Sequence, residues 1–228
     1  MYVPRHFSMT AEQIGDVLSH VAAGDLVTQG PDGLSATFLP MLYDPSVGEH
    51  GSLLAHLTRN NTQWKHADRE ALVIVHGPDH YISPTWLTPP EGEPHVVPTW
   101  NYVTLHAYGR LIARDDPAWK RDLVARLSAR HEDSYRLDAV PTDLVTRMLR
   151  AVVGVELRIT RIEAKAKLSQ NKLPHDLAAI IEGLRSVGGA DAVEVADWMA
   201  TVSLPAAERR SDLIDELARK HRSATAPR

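Results

Sequence analysis

Three segments of the sequence bring cations, neutral hydrogen-bonding side chains and aromatic rings to positions where apolar core residues would be expected. They are AHLTRNNTQW (55–64), GPDHYISPTW (77–86) and HVVPTWNYVTLHAYGRL (95–111), and KAKLSQNK (165–172) is the expected companion of the third. A phosphate group requires charge-assisted donors, and a planar ring system requires flat apolar walls with a few directed hydrogen bonds. Together the segments predict a site for a flat, phosphorylated cofactor.

The residues that could form this site are of three kinds. The cations are Arg59, Lys165 and Lys167, the neutral hydrogen bonders are Asn60, Ser83, Asn101, Ser169 and Gln170, and the rings are Tyr81, Trp86, Trp100 and Tyr102. Each segment alone also has a structural explanation, because Ser-Pro pairs form turns and because Trp and Tyr at strand ends close barrels. Three such segments in one small domain favour a ligand site.

Histidine is the other residue type that could do chemistry here, with twelve in 228 residues. His56, His66, His76, His80 and His95 lie in or near the three segments. The H-E-x-x-H signature of zinc enzymes is absent, so no metal site is predicted. An axial ligand of haem iron needs only one His, and that possibility stays open.

The composition excludes several classes of function. The chain has no Cys, which removes disulfides, thiolate catalysis, Cys-ligated zinc and iron–sulfur clusters. Its formal net charge of -4 provides no global attraction for nucleic acid. No apolar run is long enough to span a membrane, and MYVPRHFSMT is not a signal peptide. We therefore expect a cytoplasmic protein without membrane contact.

Apolar periodicity places the three segments on a mainly β fold. A capping box at Thr10 opens a helix, and DLVTQ-GPDG-LSATFLPML predicts a hairpin. Further strands are expected at 52–58, 71–77, 101–113 and 152–162, and helices from Asp116 onward and at 142–150. Many strands joined by short turns favour an α+β, mainly β barrel with helices at its rim.

After Pro174 the sequence predicts helices over roughly 176–186, 190–200 and 205–221. We therefore expect two domains, a cofactor-binding barrel over 1–174 and a helical extension over 175–228 that packs on the barrel or on a partner subunit. Residues 176–200 have the spacing of a helix-turn-helix. Their second helix, however, carries Asp191, Glu194 and Asp197 and no basic residue, so phosphates would repel it and direct DNA binding is not expected.

Five stretches make the sequence resemble the PaiB family, named FMN-binding negative transcriptional regulators. They are MYVPRHF, HLTRNN with the following QW, GPDHYISPTW, VVPTWNYVTLHAYG and KAKLSQNK, which keep the family's order from Met1 to about Gly183. The resemblance implies a split β-barrel like that of the pyridoxamine-phosphate-oxidase flavoproteins. It also implies a homodimer with FMN at the subunit interface, and a regulatory or flavin-dependent redox role.

The resemblance further implies which residues hold the cofactor. His56, Arg59 and Asn60 would lie near its phosphate, Tyr81, Ser83 and Trp86 would line the same pocket, Trp100 and Asn101 would face the ring system, and Lys167, Ser169 and Gln170 would close the site. On this reading Arg59→Ala weakens flavin retention by loss of charge.

One departure from the family pattern leaves two alternatives open. The family continues SPTW with a Tyr and then a Lys, whereas this sequence reads LTPPEGEPH at 87–95, with no cation before His95. The first alternative is a haem b enzyme similar to the piperazate synthases, which resemble PaiB proteins and form an N–N bond from an N-hydroxylated ornithine. A pocket His, with His56 the first candidate, would then ligate iron. The second alternative is a cofactor-free dimeric interaction protein.

Overall fold

The structure, a computed structural model, describes residues 1–88 and 97–225. Within these residues one sheet contains seven strands: β1 Ala23–Gly30, β2 Gly33–Pro40, β3 Leu42–Asp44, β4 Ser52–Thr58, β5 Glu70–Ile82, β6 Thr99–Arg114 and β7 Val152–Lys167. The helices are α1 Ala11–Ser19, α2 Pro117–His131, α3 Thr142–Arg150, α4 Pro174–Val187, α5 Ala190–Trp198 and α6 Leu204–Thr225. Short 3-10 turns lie at Arg5–Phe7, Thr62–His66, Pro84–Trp86 and Leu137–Ala139.

The strand order is β2-β1-β5-β6-β7-β4-β3. The predicted hairpin is confirmed, because β1 and β2 pair antiparallel from Ala23↔Pro40 to Gly30↔Gly33. Gly33 adopts a φ of +106° at the end of this tight turn, a conformation that favours glycine. The alternation predicted for β6 is also confirmed, since Leu105, Ala107 and Leu111 are all buried. The mainly β prediction is therefore correct.

Several predicted elements differ in extent from the structure. β5 continues past Gly77 to Ile82 instead of ending at the Gly-Pro pair. The helices expected at 190–200 and 205–221 are not separated by a loop, because a π-helical turn, Met199–Ser203, joins α5 to α6. Within the part of the chain that the structure describes, no helix combines the length and hydropathy that a bilayer crossing needs.

The chain divides into two compact units, each assembled from segments that are distant in sequence. The first unit contains Met1, Thr10–His76 and Thr104–Ala164. The second contains Tyr2–Met9, Gly77–Val103 and Lys165–Arg228. The expected division cuts the chain once, into a barrel at 1–174 and an extension at 175–228, whereas each of these units combines several segments. The expected division stays a prediction.

The core of the first unit is formed by inward-facing side chains of six strands. They surround a void of only about 10 Å³, which is lined by Leu26, Leu39, Met41, Leu53, Ala55, Val73, Leu111, Val155 and Leu157. A void of this size is at the limit for one water molecule, so the interior is close-packed and offers no ligand cavity. Leu123 and Leu127 of α2 pack at the rim against Leu42 and Leu54.

The second unit has a helical core of its own. Its fully buried side chains include Leu168 at the end of β7, Leu177, Ile180 and Leu184 of α4, Val195 of α5 and Met199 of the π-helical turn. A Cβ added at Gly183 would lie 2.4 Å from Trp86 Cδ2, so the close approach of this ring to α4 requires glycine.

Candidate functional site

Asn101 is the most deeply buried of the predicted site residues, and both polar atoms of its side-chain amide have a partner within the second unit. Its Oδ1 accepts a hydrogen bond of 3.1 Å from Ser169 Oγ, and its Nδ2 donates to Met199 Sδ at 3.3 Å. Ser169 has a φ of +61°, a left-handed conformation that is unusual for a residue with a Cβ. The start of β6 is thereby tied to the loop after β7. A role of Asn101 toward a ring system stays a prediction.

Lys167 lies beside Asn101 in the same unit and makes two hydrogen bonds from its ammonium group. It donates to Thr99 Oγ1 and to the carbonyl oxygen of Trp100. Burial lowers the pKa of Lys167 below its usual value, and the charge of Lys165 lowers it further. Neither neighbour that accepts from Lys167 is negatively charged, so its positive charge is not neutralised by these contacts.

The N-terminal motif joins this region through Lys165. Ser8 forms an isolated antiparallel bridge with Lys165, and the Lys165 ammonium lies 5.9 Å from the ring centroid of Phe7 and 5.4 Å from that of Tyr102. Cation–π contacts at such distances stabilise the side chains without neutralising the charge. The MYVPRHF and KAKLSQNK segments, which are far apart in the sequence, thus meet through Lys165 in one region.

A cavity of about 330 Å³ opens in this region of the second unit. Its lining residues are His6, Phe7, Val97, Thr99, Lys167, Ser169, Asn171 and Lys172. None of these described residues is acidic, and two are lysines, so the cavity has the charge that suits an anion. The sequence-based assignment included Lys167 and Ser169 but missed His6, Thr99 and Lys172. Each of the three lies in or next to a quoted motif, but only the fold shows that they converge.

Trp100 and Tyr81 provide exposed ring faces in the second unit. Trp100 is 51% exposed and Tyr81 is 41% exposed, and their ring centroids lie 6.2 Å apart in an edge-to-face arrangement. Trp100 Nε1 donates to Asp79 Oδ1 at 2.6 Å, which fixes the indole. Since no core covers these faces, they are available to stack on a planar ligand.

Three other predicted residues of the second unit have evident structural contacts. Ser83 Oγ accepts from Thr85 N at 3.2 Å and caps the 3-10 turn. Trp86 packs on Gly183 of α4. Gln170 closes the loop after β7, because its Oε1 accepts from Leu168 N at 2.8 Å and its Nε2 donates to Ala166 O at 2.6 Å.

The remaining predicted residues, His56, Arg59 and Asn60, belong to the first unit. Arg59 makes a two-pronged ion pair with Asp115, with N–O distances of 2.9 and 2.6 Å. It also donates to the carbonyl oxygens of Arg150 at 2.8 Å and Val152 at 3.1 Å. The side chain of Asn60 is exposed in the turn after β4.

Asp115 links Arg59 to a second cation of the first unit. The buried ammonium of Lys120 donates to Asp115 Oδ1 at 2.7 Å and to Leu149 O at 2.8 Å. Hydrogen bonds from Arg59 first, and from Lys120 second, hold the pKa of Asp115 far below its usual value. This cluster joins the end of β6, the start of α2 and the end of α3.

His56 lies on β4 opposite Gly154 of β7. Its Nδ1 is buried and has no hydrogen-bond partner among the described residues. Burial lowers the pKa of His56, so the imidazole is neutral at physiological pH. Of the altered stretch 87–95, residues 89–95, His95 included, lie outside the described residues.

Comparison with known proteins identifies the family. Residues 1–161 match the family described as "Putative FMN-binding domain". The chain is 30% identical over 205 residues to Protease synthase and sporulation protein PAI 2 of Bacillus subtilis, and the match covers 87% of this chain and 96% of the relative. The chain belongs to the PaiB family. FMN, the predicted cofactor, is the one that the family description names.

Solved structures support the fold of this PaiB-family protein. The flavocytochrome Anf3 of Azotobacter vinelandii has a TM-score of 0.54 and 13% identity, covering 72% of each chain. The FAD and haem binding protein of Mycobacterium smegmatis has a TM-score of 0.53 and 16% identity, covering 77% of this chain and 80% of that one. At these identities the likeness concerns the fold alone, and the predicted split β-barrel is confirmed.

Proposed function

We propose that this PaiB-family protein binds FMN at the interface of a cytoplasmic homodimer and uses it in a redox reaction with a regulatory output. The observation that carries the proposal is the combination, within the second unit, of exposed Trp100 and Tyr81 rings with a cationic cavity. Such a surface offers stacking for a flavin ring and charge for its phosphate. Bound FMN supplies the electron or hydride transfer, and the chain's residues bind and orient it.

A second copy of the chain is the partner that the first unit favours. On the edge strand β2, Leu34 is 76% exposed and Phe38 is 65% exposed. Val27 of β1 is paired with Ala36 of β2 on one side and with Leu72 of β5 on the other, so apolar side chains continue across three strands. An exposed apolar face at a sheet edge promotes aggregation unless another surface covers it.

The regulatory part of the proposal is supported by the name of the Bacillus subtilis relative, which connects that protein with protease synthesis and sporulation. Contact with DNA through residues 176–200 is not part of it. α5 carries Asp191, Glu194 and Asp197 and no basic residue, and it would be repelled by phosphates. We propose that the output passes through the redox state of the flavin.

An absorption spectrum of the purified protein tests the proposal. The protein is incubated with FMN or with haemin, freed of unbound cofactor on a sizing column, and scanned. Flavin bands that co-elute with a dimer support the proposal. A colourless protein after both incubations contradicts it and favours the cofactor-free interaction protein.

One observation favours a haem enzyme as the second candidate. The neutral imidazole of His56 has a ring nitrogen without a hydrogen-bond partner among the described residues, as a potential iron ligand requires. A Soret band that disappears in His56→Ala, while FMN is not retained, would support this candidate over FMN.

A further inference from the structure

Arg59, the predicted phosphate ligand, already uses most of its hydrogen-bonding capacity. A guanidinium has five N–H donors, and four of them are directed to Asp115 Oδ1, Asp115 Oδ2, Arg150 O and Val152 O. The carboxylate of Asp115 pairs with Arg59 and with Lys120, so it offsets part of the charge of Arg59. A phosphate at Arg59 would have to displace a carboxylate that two cations hold.

The cavity of the second unit presents the opposite situation. An ammonium group has three donors, and the contacts of Lys167 with Thr99 and Trp100 use two of them. Because Thr99 Oγ1 accepts from Lys167, its own hydroxyl proton is left to donate. Lys172 and the amide of Asn171 line the same cavity. The lining residues therefore supply two ammonium groups, a hydroxyl and an amide as donors for an oxyanion.

The size of the cavity is consistent with a phosphate ester. A volume of about 330 Å³ lies at the lower end of the range for small-molecule sites. It exceeds the space that a phosphate group alone fills, and the apolar lining by Phe7 and Val97 suits a carbon chain. Lys167 is partly buried without a carboxylate partner, and a bound anion would offset the free-energy cost of this partial burial.

We propose that this cavity binds the phosphate group of FMN, with Lys167 and Lys172 supplying the charge, and that Arg59 has a structural role. This assignment rests on the proposed FMN binding, and it places the phosphate in the second unit. It adds Lys172, Thr99 and His6 to the residues expected to contact the cofactor.

Flavin fluorescence titrations with FMN and with riboflavin, which lacks the phosphate, test the assignment. The wild-type chain should bind FMN more tightly than riboflavin. Lys167→Gln and Lys172→Gln should each reduce that preference by about tenfold or more, since each removes a charge-assisted contact. Lys172→Arg keeps the charge and should keep most of the preference. Arg209→Gln removes one charge from α6, outside the lining residues, and serves as the matched control.

Arg59→Gln is the decisive comparison. It should lower the melting temperature and leave the FMN-to-riboflavin ratio near the wild-type value. Inorganic phosphate should compete with FMN and not with riboflavin. The assignment is overturned if Arg59→Gln abolishes the preference for FMN while both lysine variants keep it. Wild-type protein that binds neither flavin would overturn the proposed function, and the assignment with it.

Discussion

At the scale of single residues, buried amides organise this protein more than exposed charges do. Gln63 is 2% exposed, and its Nε2 lies 3.1 Å from each of Leu26 O, Thr28 Oγ1 and Ser35 O, which share its two N–H donors. Its Oε1 accepts from Thr37 Oγ1. Gln63 therefore fastens the 3-10 turn after β4 onto the β1–β2 hairpin. Sequence reasoning did not select it, because a Gln beside a Trp has no periodicity that distinguishes burial from exposure.

Gln63→Ala should destabilise the protein by about 2–4 kcal/mol, because it removes several hydrogen bonds and leaves buried acceptors unpaired. Urea unfolding monitored by circular dichroism measures the change. Gln29→Ala is the matched control, since Gln29 is exposed on β1 and bonds only the neighbouring Gly30 O among the described residues. Equal stability of the two variants would refute the structural role of Gln63.

Asp115 gives a prediction for the dependence of stability on pH. Its pKa is lowered in the folded protein by Arg59 and Lys120, so its contribution is present above the unfolded value of about 4. That contribution is lost as the pH falls from about 4 toward the lower folded pKa. Wild-type protein should therefore lose stability over this range. Asp115→Asn should be less stable at neutral pH, and its stability should fall less steeply as the pH drops below about 4.

The matched control for Asp115→Asn is Asp138→Asn, which removes a carboxylate that is 92% exposed and paired with Arg121. Exposed ion pairs contribute little to stability, so this variant should follow the wild-type curve. Thermal melts between about pH 2 and pH 7 are the measurement. An unchanged acid limb in Asp115→Asn would show that other carboxylates dominate the acid response.

At the scale of elements, the C-terminal helices are part of the region that contains the cofactor motifs. Met199 of the π-helical turn accepts from Asn101, and Ser203 Oγ donates to Leu168 O at 2.9 Å. The family match ends at residue 161, so the helices that support the motifs lie beyond it. π-helical turns often mark functional positions. This one contacts Asn101 of β6, which is predicted to face the ring system, and Leu168 in the loop after β7.

Met199→Leu should destabilise the protein by about 1 kcal/mol, because the buried amide of Asn101 loses its acceptor while the volume is nearly kept. We also expect weaker FMN binding, since Asn101 then keeps only its contact with Ser169 to fix its orientation. Met148→Leu, on an exposed position of α3, is the control. Both effects are read from urea unfolding and from flavin titration of the same samples. If Met199→Leu has the stability and the FMN affinity of the wild type, the contact between Met199 and Asn101 does not support the cofactor site.

The strands could be predicted from apolar alternation, but the end of β5 could not. A Gly-Pro pair signals a turn, yet β5 continues through Pro78 to Ile82. β1 pairs with β5 over Ala71–Ile74, so the missing N–H of Pro78 does not interrupt that ladder. The motifs of the site were likewise readable, whereas their partners were not. Arg59 meets Asp115 and Asn101 meets Met199 across long separations in sequence, which local patterns do not encode.

At the scale of the whole molecule, the exposed apolar face of the edge strand β2 is one feature that a single chain leaves unexplained. Stable homodimer interfaces bury roughly 800 Å² or more on each subunit and are apolar at their centre. Leu34 and Phe38 are large, exposed and on a sheet edge. A second copy that covers this face would shield the exposed edge strand.

The double variant Leu34→Glu/Phe38→Glu should convert the dimer to a monomer, because two charges would be buried without partners at the interface. Light scattering coupled to a sizing column measures the mass, and the flavin absorbance of the same peak reports FMN retention. Leu213→Glu/Leu217→Glu places the same charges on exposed apolar positions of α6 and should remain dimeric.

If FMN lies at the subunit interface, the monomer should lose FMN while its circular dichroism spectrum stays native. A monomer that keeps FMN would separate the two proposals, since the cofactor would then belong to one chain. A double variant that stays dimeric would place the interface elsewhere.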